Sequence, residues 1–404
     1  MSFTARLVSS IATIDPAAWD ACANPPGLSE SEAEGERFNP FMSHGFLNAL
    51  EASGSTGGRS GWAPAHVVVE EGGRIVATAA AYLKSHSQGE YVFDHAWADA
   101  YERAGGRYYP KLLVAAPFTP ATGRRLLVAQ DAPPGAREAL IAALREVRRQ
   151  TKASSLHVTF PTRQDAERLE QAGFLVRHGE QFHFACQDYK RFDDFLAALA
   201  SRKRKAIKRE RREALGSDVT IEWVTGSLIK SDHWEAFFSF YMDTGSRKWG
   251  RLYLTRSFFD HVGAAMADRV LLVMARRGGR YIAGAINFIG DDALYGRNWG
   301  AIEDRPFLHF EVCYYQAIEF ALLRGLKRVE AGAQGEHKLA RGYRPVVTYS
   351  AHEFADARLA RAVEDYLERE RAAVAETIAY YDEHAPFRRG ENQQAPGEAF
   401  DADL

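Results

Sequence analysis

Cysteine is scarce. The 404 residues hold three, Cys22, Cys186 and Cys313, each isolated from the others. They form no CxxC pair and no Cys/His ligand spacing, so a local zinc, redox or disulfide framework is excluded and a reducing compartment is expected. No apolar run approaches the ~20 residues that span a bilayer, and the start, MSFTARLVSSIATID, lacks the apolar core of a signal peptide. A cytoplasmic chain without a membrane span is therefore expected. Neither sign of charge dominates: 51 Lys and Arg stand against 53 Asp and Glu, for a net charge of −2. That balance excludes a globally basic nucleic-acid binder and leaves a local basic patch open. No serine or cysteine sits in a nucleophile-elbow context, and no sequence-local metal motif appears. What is present is an ordinary globular composition, 46% hydrophobic and 26% charged, at a length that implies two domains.

The two domains read as a repeat. GGRIVATAAAY (72–82) matches GGRYIAGAINF (278–288), and LEQAGFLVRHGEQFHF (169–184) matches KLARGYRPVVTYSAHEF (338–354), with Gly173-Phe174 opposite Gly342-Tyr343. Between these anchors each half carries an amphipathic helix, REALIAALREVRRQ or FEVCYYQAIEFALLRG, and then a strand, SSLHVTF or LKRVEAGA. Gly72 and Gly278 are 206 positions apart but Gly173 and Gly342 only 169, so the first half holds about 37 extra residues between its anchors. Much of the excess is expected at 94–125. The expected organisation is a first domain over 1–187 and a second over 188–355. DYKRFDDFLAAL opens the second and is expected to run on into the basic helix ASRKRKAIKRERREA. A C-terminal helix over 356–390 follows, with Leu359, Val363, Tyr366 and Leu367 as its apolar stripe. A polar tail, 391–404, is expected to be disordered.

The order of hairpin, strand, helix, strand, short helix, Gly-aromatic pair and closing strand resembles the GNAT acyltransferase fold. ERLEQAGFLVRHGEQFHF looks like its final helix and strand. Two such halves in tandem resemble the Fem family, aminoacyl-tRNA-dependent transferases that extend peptidoglycan peptides. LASRKRKAIKRERREALGSDVTIE, LHFEVCYYQAIEFALLRGLKRVEAGAQG and HKLARGYRP are similar to the family's basic helix, its helix and glycine-ended strand, and its Lys-rich segment. The resemblance implies an α/β (α+β) fold of tandem GNAT-like domains. It also implies an acyltransferase that moves an amino acid or acyl group from aminoacyl-tRNA onto an amine, in a peptide or cell-wall precursor, with no bound cofactor. Two alternatives stay open: an acyl-CoA donor on the same fold, and a catalytically silent module that binds cell-wall precursor or nucleic acid. Coenzyme A needs closely spaced glycines at a helix N-terminus. LLVAQDAPPGARE and AIEDRPFLHFE lack them, and the second places Glu303 and Asp304 there, so CoA is disfavoured in the second half and unsupported in the first.

The candidate site residues follow from both readings. In VEAGAQGEHKLARGYRP, strand Leu326–Val329 is expected at the centre of the sheet, with the loop beyond it opening on a cleft between the halves. There Glu336, His337 and Lys338, with Gln334, Arg341 and Tyr343, would hold the acceptor and the developing oxyanion. A charged helix start after a Gly-rich turn is the plain alternative. His309 or Glu311, at the start of the second-half helix, would take the proton from the amine, although Glu311 also suits the helix dipole there. In LYGRNWG, Tyr295, Arg297 and Trp299 alternate onto one face of a strand and are expected to line the cleft. Arg247 and Lys248, before an aromatic turn, suit an anion or carboxylate. Trp97, Tyr109, Lys111 and Arg124 in the extra segment suit a sugar or base surface. Arg202, Lys203, Arg204 and Lys205 lead a run of eight basic residues with one acid, Glu210. Like charges at three and four residues cost ~0.2–0.5 kcal/mol a pair, so either solvent or phosphate must offset them.

Overall fold

Gly72 and Gly73 take φ of 59° and 81°, and Gly278 and Gly279 take 55° and 81°. These left-handed values suit a two-residue hairpin turn, and glycine adopts them without a clashing Cβ. The turns close equivalent hairpins in the computed structural model, which describes residues 2–26, 38–186, 189–248, 252–332 and 336–388, less the side chains of 246–248 and 336. In both hairpins the register slips just before the turn, between Val69 and Glu70 and between Ala275 and Arg276. A bulge at the same offset in both halves makes the sequence repeat a structural one.

The first half supplies β1 (Phe3–Val8), β2 (Trp62–Pro64), β3 (His66–Glu71), β4 (Arg74–Ala79), β5 (Ala81–Lys84), β6 (Lys111–Val114), β7 (Leu127–Val128), β8 (Ser155–Thr159) and β9 (Leu175–Ala185). The second supplies β10 (Val219–Thr225), β11 (Val270–Arg277), β12 (Arg280–Ile289), β13 (Ala293–Ala301), β14 (Arg328–Glu330) and β15 (Arg344–Phe354). β1, β3, β4 and β7 make a small sheet; the others form one sheet in the order β10-β11-β12-β13-β14-β9-β15-β8-β6-β5-β2. β14 lies inside that order, as the sequence implies.

The chain exchanges its closing strands. β9 of the first half pairs with β14 of the second, and β15 of the second pairs with β8 of the first. β9 and β15 also pair with each other, antiparallel, from Arg344 opposite His183 to His352 opposite Leu175. The repeat offset of 169 carries each of these two pairs onto the other, so the strands meet across a pseudo-two-fold axis. Gly179 faces Thr348, its own counterpart, at the centre. The chain-order boundary near 187 therefore does not cut the sheet.

Two further expectations change, and the segment 94–125 becomes clearer. Within 94–125, β6 belongs to the repeat: it is an interior strand, in parallel register with β8 as β13 is with β14. The added length includes the loop after β5 and the helix His95–Arg103. The helix expected to continue from 188 into the basic run is broken into Phe192–Ala198 and Ser201–Leu215. The backbone of the C-terminal segment intervenes at the break, where Pro386 accepts the amide of Ala200 and Arg388 donates to Ala198. Ser201 is consequently the first helical residue, and Ala200 is its N-cap. The C-terminal helix spans Ala357–Glu383 and buries Leu359, Val363 and Leu367 against Trp97, Tyr108 and Phe354, while Tyr366 faces out. Residues 391–404 lie outside the described residues.

One aromatic core locks the halves together. Phe41 of the first half packs 5.2 Å from Phe288 of the second, and Phe46 packs 5.8 Å from Phe258 (ring centroids). Burial of such rings contributes roughly 1.5–3 kcal/mol each, enough to make the two halves one body.

Candidate functional site

A bulge lies on the wall of the cleft between the halves. Along β12 and β13, Asn287 pairs with Gly296 and Ile286 with Asn298, which leaves Arg297 as the extra residue. A bulge bends its strand and re-aims side chains. Arg297, Asn298 and Trp299 line a cleft of about 410 Å³, together with Tyr241, Thr244, Tyr253 and Gly332 of the second half. Residues 87–89, Tyr91, Phe93 and His95 of the first half form the opposite wall. The bulge also reverses the alternation beyond it, so Tyr295 and Trp299 point to opposite faces. Tyr295 is buried against Phe41, ring centroids 5.1 Å apart, and does not reach the cleft. Arg297 donates to the carbonyl of Phe118 and its guanidinium lies 6.0 Å from the ring of Tyr91. Phe118 and Tyr91 hold positive φ of 56° and 60°, unusual for bulky residues and a mark of a wall fixed by its surroundings. Burial lowers the pKa of Arg297.

Behind Trp299 the two expected histidines meet. His309 lies 5.2 Å from the Trp299 ring and 6.3 Å from His337. A 2.9 Å hydrogen bond joins Tyr314 Oη and His337 Nε2. Solvent reaches His337, but partial desolvation of its ring, followed by the charges of Arg341 and Lys338, lowers its pKa. The shift favours the neutral ring. Lys338 is buried with Nζ on the carbonyl of Gly332, 2.7 Å away, and burial brings its pKa down to about 8. Lys338 thereby ties the turn to the cleft lining, since Gly332 belongs to both.

The basic helix has two distinct faces. Inward, Glu210 accepts the Tyr315 hydroxyl and lies 3.0 Å from Arg341, whose guanidinium stacks 3.4 Å from the ring centroid of Phe310. Arg211 makes ion pairs of 2.9 Å to Glu311 and 2.7 Å to Glu319. Outward, Arg202, Lys203, Lys205 and Lys208 are exposed, and no ion pair engages them among the described residues; Arg204 is half-buried.

Several expected roles are corrected by burial. Glu311 is fully buried, held by Arg211 and by Gln316 Nε2 at 2.6 Å, so it anchors the basic helix and is not free to take a proton. Trp97 is core beneath the C-terminal helix. Lys111 is fully buried and donates to Ser87 Oγ and Glu90, both at 2.8 Å, and to Asp94. Burial alone would lower its pKa; the two carboxylates outweigh that and raise it. Tyr109 Oη meets the same Ser87 Oγ at 2.8 Å. Lys111 and Tyr109 thus brace the first-half wall from behind. Arg124 lies elsewhere, on a cavity of about 710 Å³ at the start of the helix Ala136–Gln150. Tyr343 is buried, 5.7 Å from the Phe184 ring. Gln334 lies outside the described residues, as do the side chains of Glu336, Arg247 and Lys248.

Sequence reasoning missed Tyr91, Phe93, Tyr253 and Glu330. Glu330, last in β14, is buried 3.7 Å from His183 Nε2 and 2.8 Å from Arg328 Nε, and burial raises its pKa. Nothing in GEYVF or RVEAG distinguishes these residues locally; the exchanged strand and the bulge bring them to the centre.

The comparisons agree with this architecture. A family model, FemAB-like, described as peptidoglycan biosynthesis/recognition, matches residues 10–389. The chain belongs to this family. Among solved structures it is similar to FemX, with a TM-score of 0.52 at 13% identity, covering 83% of this chain and 98% of that one. A tandem GNAT protein from the clavulanic acid biosynthesis pathway gives 0.45 at 12% identity, covering 88% and 99%. No curated protein matches the sequence. The FemAB-like chain has the tandem GNAT-like fold with an added C-terminal helix. Among the described residues no helix is long and apolar enough to cross a membrane, and no group of three or more His, Cys, Asp and Glu is placed to hold a metal ion.

Proposed function

We propose that this FemAB-like protein transfers an aminoacyl group from aminoacyl-tRNA onto an amine held in the cleft, the acceptor being a peptide or cell-wall precursor. One observation carries the reading: the inner face of the basic helix is bonded to the turn and helix that build the site, while its outer face presents unpaired cations. A polyanion docked on Arg202, Lys203 and Lys205 would bring its ester end toward residues tied to that helix through Arg341 and Glu311. The amine attacks the ester carbonyl, the tetrahedral oxyanion forms, and the donor's hydroxyl oxygen leaves. In the tautomer whose Nε2–H donates to Tyr314 Oη, His337 Nδ1 is the basic nitrogen; it takes the proton released from the amine and returns one to the leaving oxygen. The protein otherwise contributes orientation.

The test is tRNA binding and transfer by wild type and by Arg202→Gln/Lys203→Gln/Lys205→Gln. The triple variant should keep its melting temperature, bind tRNA more weakly, and lose up to ~0.7–0.9 of the log–log salt slope per contact. An unchanged slope rejects the docking face, and transfer that survives RNase rejects the donor.

A second reading is favoured by the cavity at the Ala136–Gln150 helix, where Arg124, Arg137 and Arg168 border a helix N-terminus. Acyl-CoA would place its pyrophosphate there. Saturable acetyl-CoA binding by calorimetry at physiological salt would promote this reading over the first.

A further inference from the structure

Among the described residues the C-terminal segment ends at the foot of the basic helix. Pro386 accepts the amide of Ala200, that helix's cap residue, at 3.0 Å, and the amide of Arg388 donates to Ala198 at 3.1 Å. Phe387, between them, bridges to Leu199, and the Arg344 guanidinium lies 4.7 Å from its ring centroid. The chain beyond 388 therefore starts from a fixed point beside the helix's first turn. The outward face of that helix presents Arg202, Lys203, Lys205 and Lys208, all exposed and without an ion pair or side-chain hydrogen bond among the described residues. Arg202, Lys205 and Lys208 follow one another at intervals of three, where like charges repel. Arg209 differs, with Glu213 paired to it at 3.6 Å. The sequence that follows the anchor has the opposite sign. Residues 391–404, ENQQAPGEAFDADL, lie outside the described residues and hold Glu391, Glu398, Asp401 and Asp403 with no Lys or Arg.

We infer that the acidic segment 391–404 of the same chain occupies the outward face of the basic helix, and that a polyanion has to displace it. The contact stands on the anchor and the charges. Its consequence, competition with tRNA, rests on the docking reading above. Reach is ample: residues 389–404 extend to at most about 50–60 Å, while Arg202 and Lys208 stand only about 9 Å apart along the helix. The bridge at 386–388 is antiparallel, so the chain leaves it heading away from the helix, and Gly390 stands in the sequence where a reversal is needed. A short tether to the anchor raises the effective concentration of the four carboxylates near the cations to roughly millimolar. Exposed ion pairs are individually weak, so the segment screens the face and yields to a ligand with many phosphates.

Two measurements on the full chain test this. Carbodiimide joins carboxylates to amines already in contact, so at low salt it should link Glu391, Glu398, Asp401 or Asp403 to Lys203, Lys205 or Lys208. The links should disappear at about 1 M salt, where charges are screened beyond about 3 Å. Absence of the links at low salt overturns the contact whatever tRNA does. Links between isotopically labelled and unlabelled chains assign the face to a second copy and also overturn it. The second measurement is binding of unacylated tRNA. Glu391→Gln/Glu398→Gln/Asp401→Asn/Asp403→Asn should keep the wild-type melting temperature and bind tRNA about three- to tenfold more tightly at low salt. The same four changes added to Arg202→Gln/Lys203→Gln/Lys205→Gln should bring no gain. An equal gain in both backgrounds overturns the contact with this face. Cross-links in a protein that binds no tRNA uphold the contact and reject the docking reading.

Discussion

The hydroxyl oxygen of Thr348 lies 2.9 Å from the place a Cβ on Gly179 would occupy, and the two residues are each other's counterparts across the pseudo-two-fold axis. A duplicated strand crossing its own copy brings the same position to itself, and two side chains cannot both fit. Gly179→Ala should destabilise the protein by about 1–3 kcal/mol through overpacking. Adding Thr348→Ala should recover part of that loss, because the two changes share one contact. Denaturant midpoints of the four-member cycle check it; strict additivity would show that the contact is relieved elsewhere.

Gly173 and Gly342 take nearly the same left-handed φ, 91° and 85°, but meet different surroundings. A Cβ at 173 has nothing within 4 Å, whereas one at 342 comes 2.5 Å from the Phe195 ring. Gly173→Ala should cost only the backbone term, roughly 1–2 kcal/mol. Gly342→Ala should cost clearly more, and Gly342→Val more again. Equal urea midpoints for the two alanine variants would contradict this.

Glu311 is fully buried and its partner Arg211 partly so, and removing one partner of a fully buried pair typically costs about 3–5 kcal/mol, an upper bound here. Glu311→Ala should therefore lower stability and loosen the basic helix, weakening tRNA binding as a secondary effect. Glu311→Gln, which keeps a partner for Gln316, should lose less stability and keep the wild-type pH profile of transfer. A shifted profile in Glu311→Gln would return Glu311 to acid–base chemistry. His337→Ala should do the reverse, with a wild-type melt and loss of the acidic limb of the profile.

Lys338 has a folded-state pKa of about 8, below its ordinary value of 10.5, because burial disfavours its charge. Between those values the unfolded chain holds the extra proton, so stability from this group rises with pH across that window, by up to about 1.4 kcal/mol per unit. Below pH 8 its cost is constant. Wild type measured against Lys338→Met from pH 7 to 10 should show this upward slope, and parallel curves would place the ammonium in solvent.

What the sequence disclosed depended on whether the signal was local. The paired Gly-Gly turns and the Gly-aromatic pairs are legible because left-handed backbone selects glycine wherever it occurs. The central placement of β14 follows from its apolar run. Strict alternation puts Tyr295 and Trp299 on one face because it assumes no bulge, and a bulge leaves no mark in LYGRNWG. Lys111 reads as a surface cation until Glu90 and Asp94 fold over it, and Glu311 as a helix-start acid until Arg211 arrives from 100 residues away. Long-range pairing decides those roles, and periodicity carries no trace of it.

The exchanged strands also govern the order in which the molecule is completed on the ribosome. When residue 186 has emerged, β8 and β9 are both made, yet the space between them belongs to β15, more than 150 residues downstream. Until β15 is made, the nascent first half carries unsatisfied strand edges on β8 and β9, the kind of surface that pairs with another chain. Truncation before β15 leaves those edges open, so a polypeptide of half length is predisposed to associate with a second copy instead of standing as a smaller folded unit.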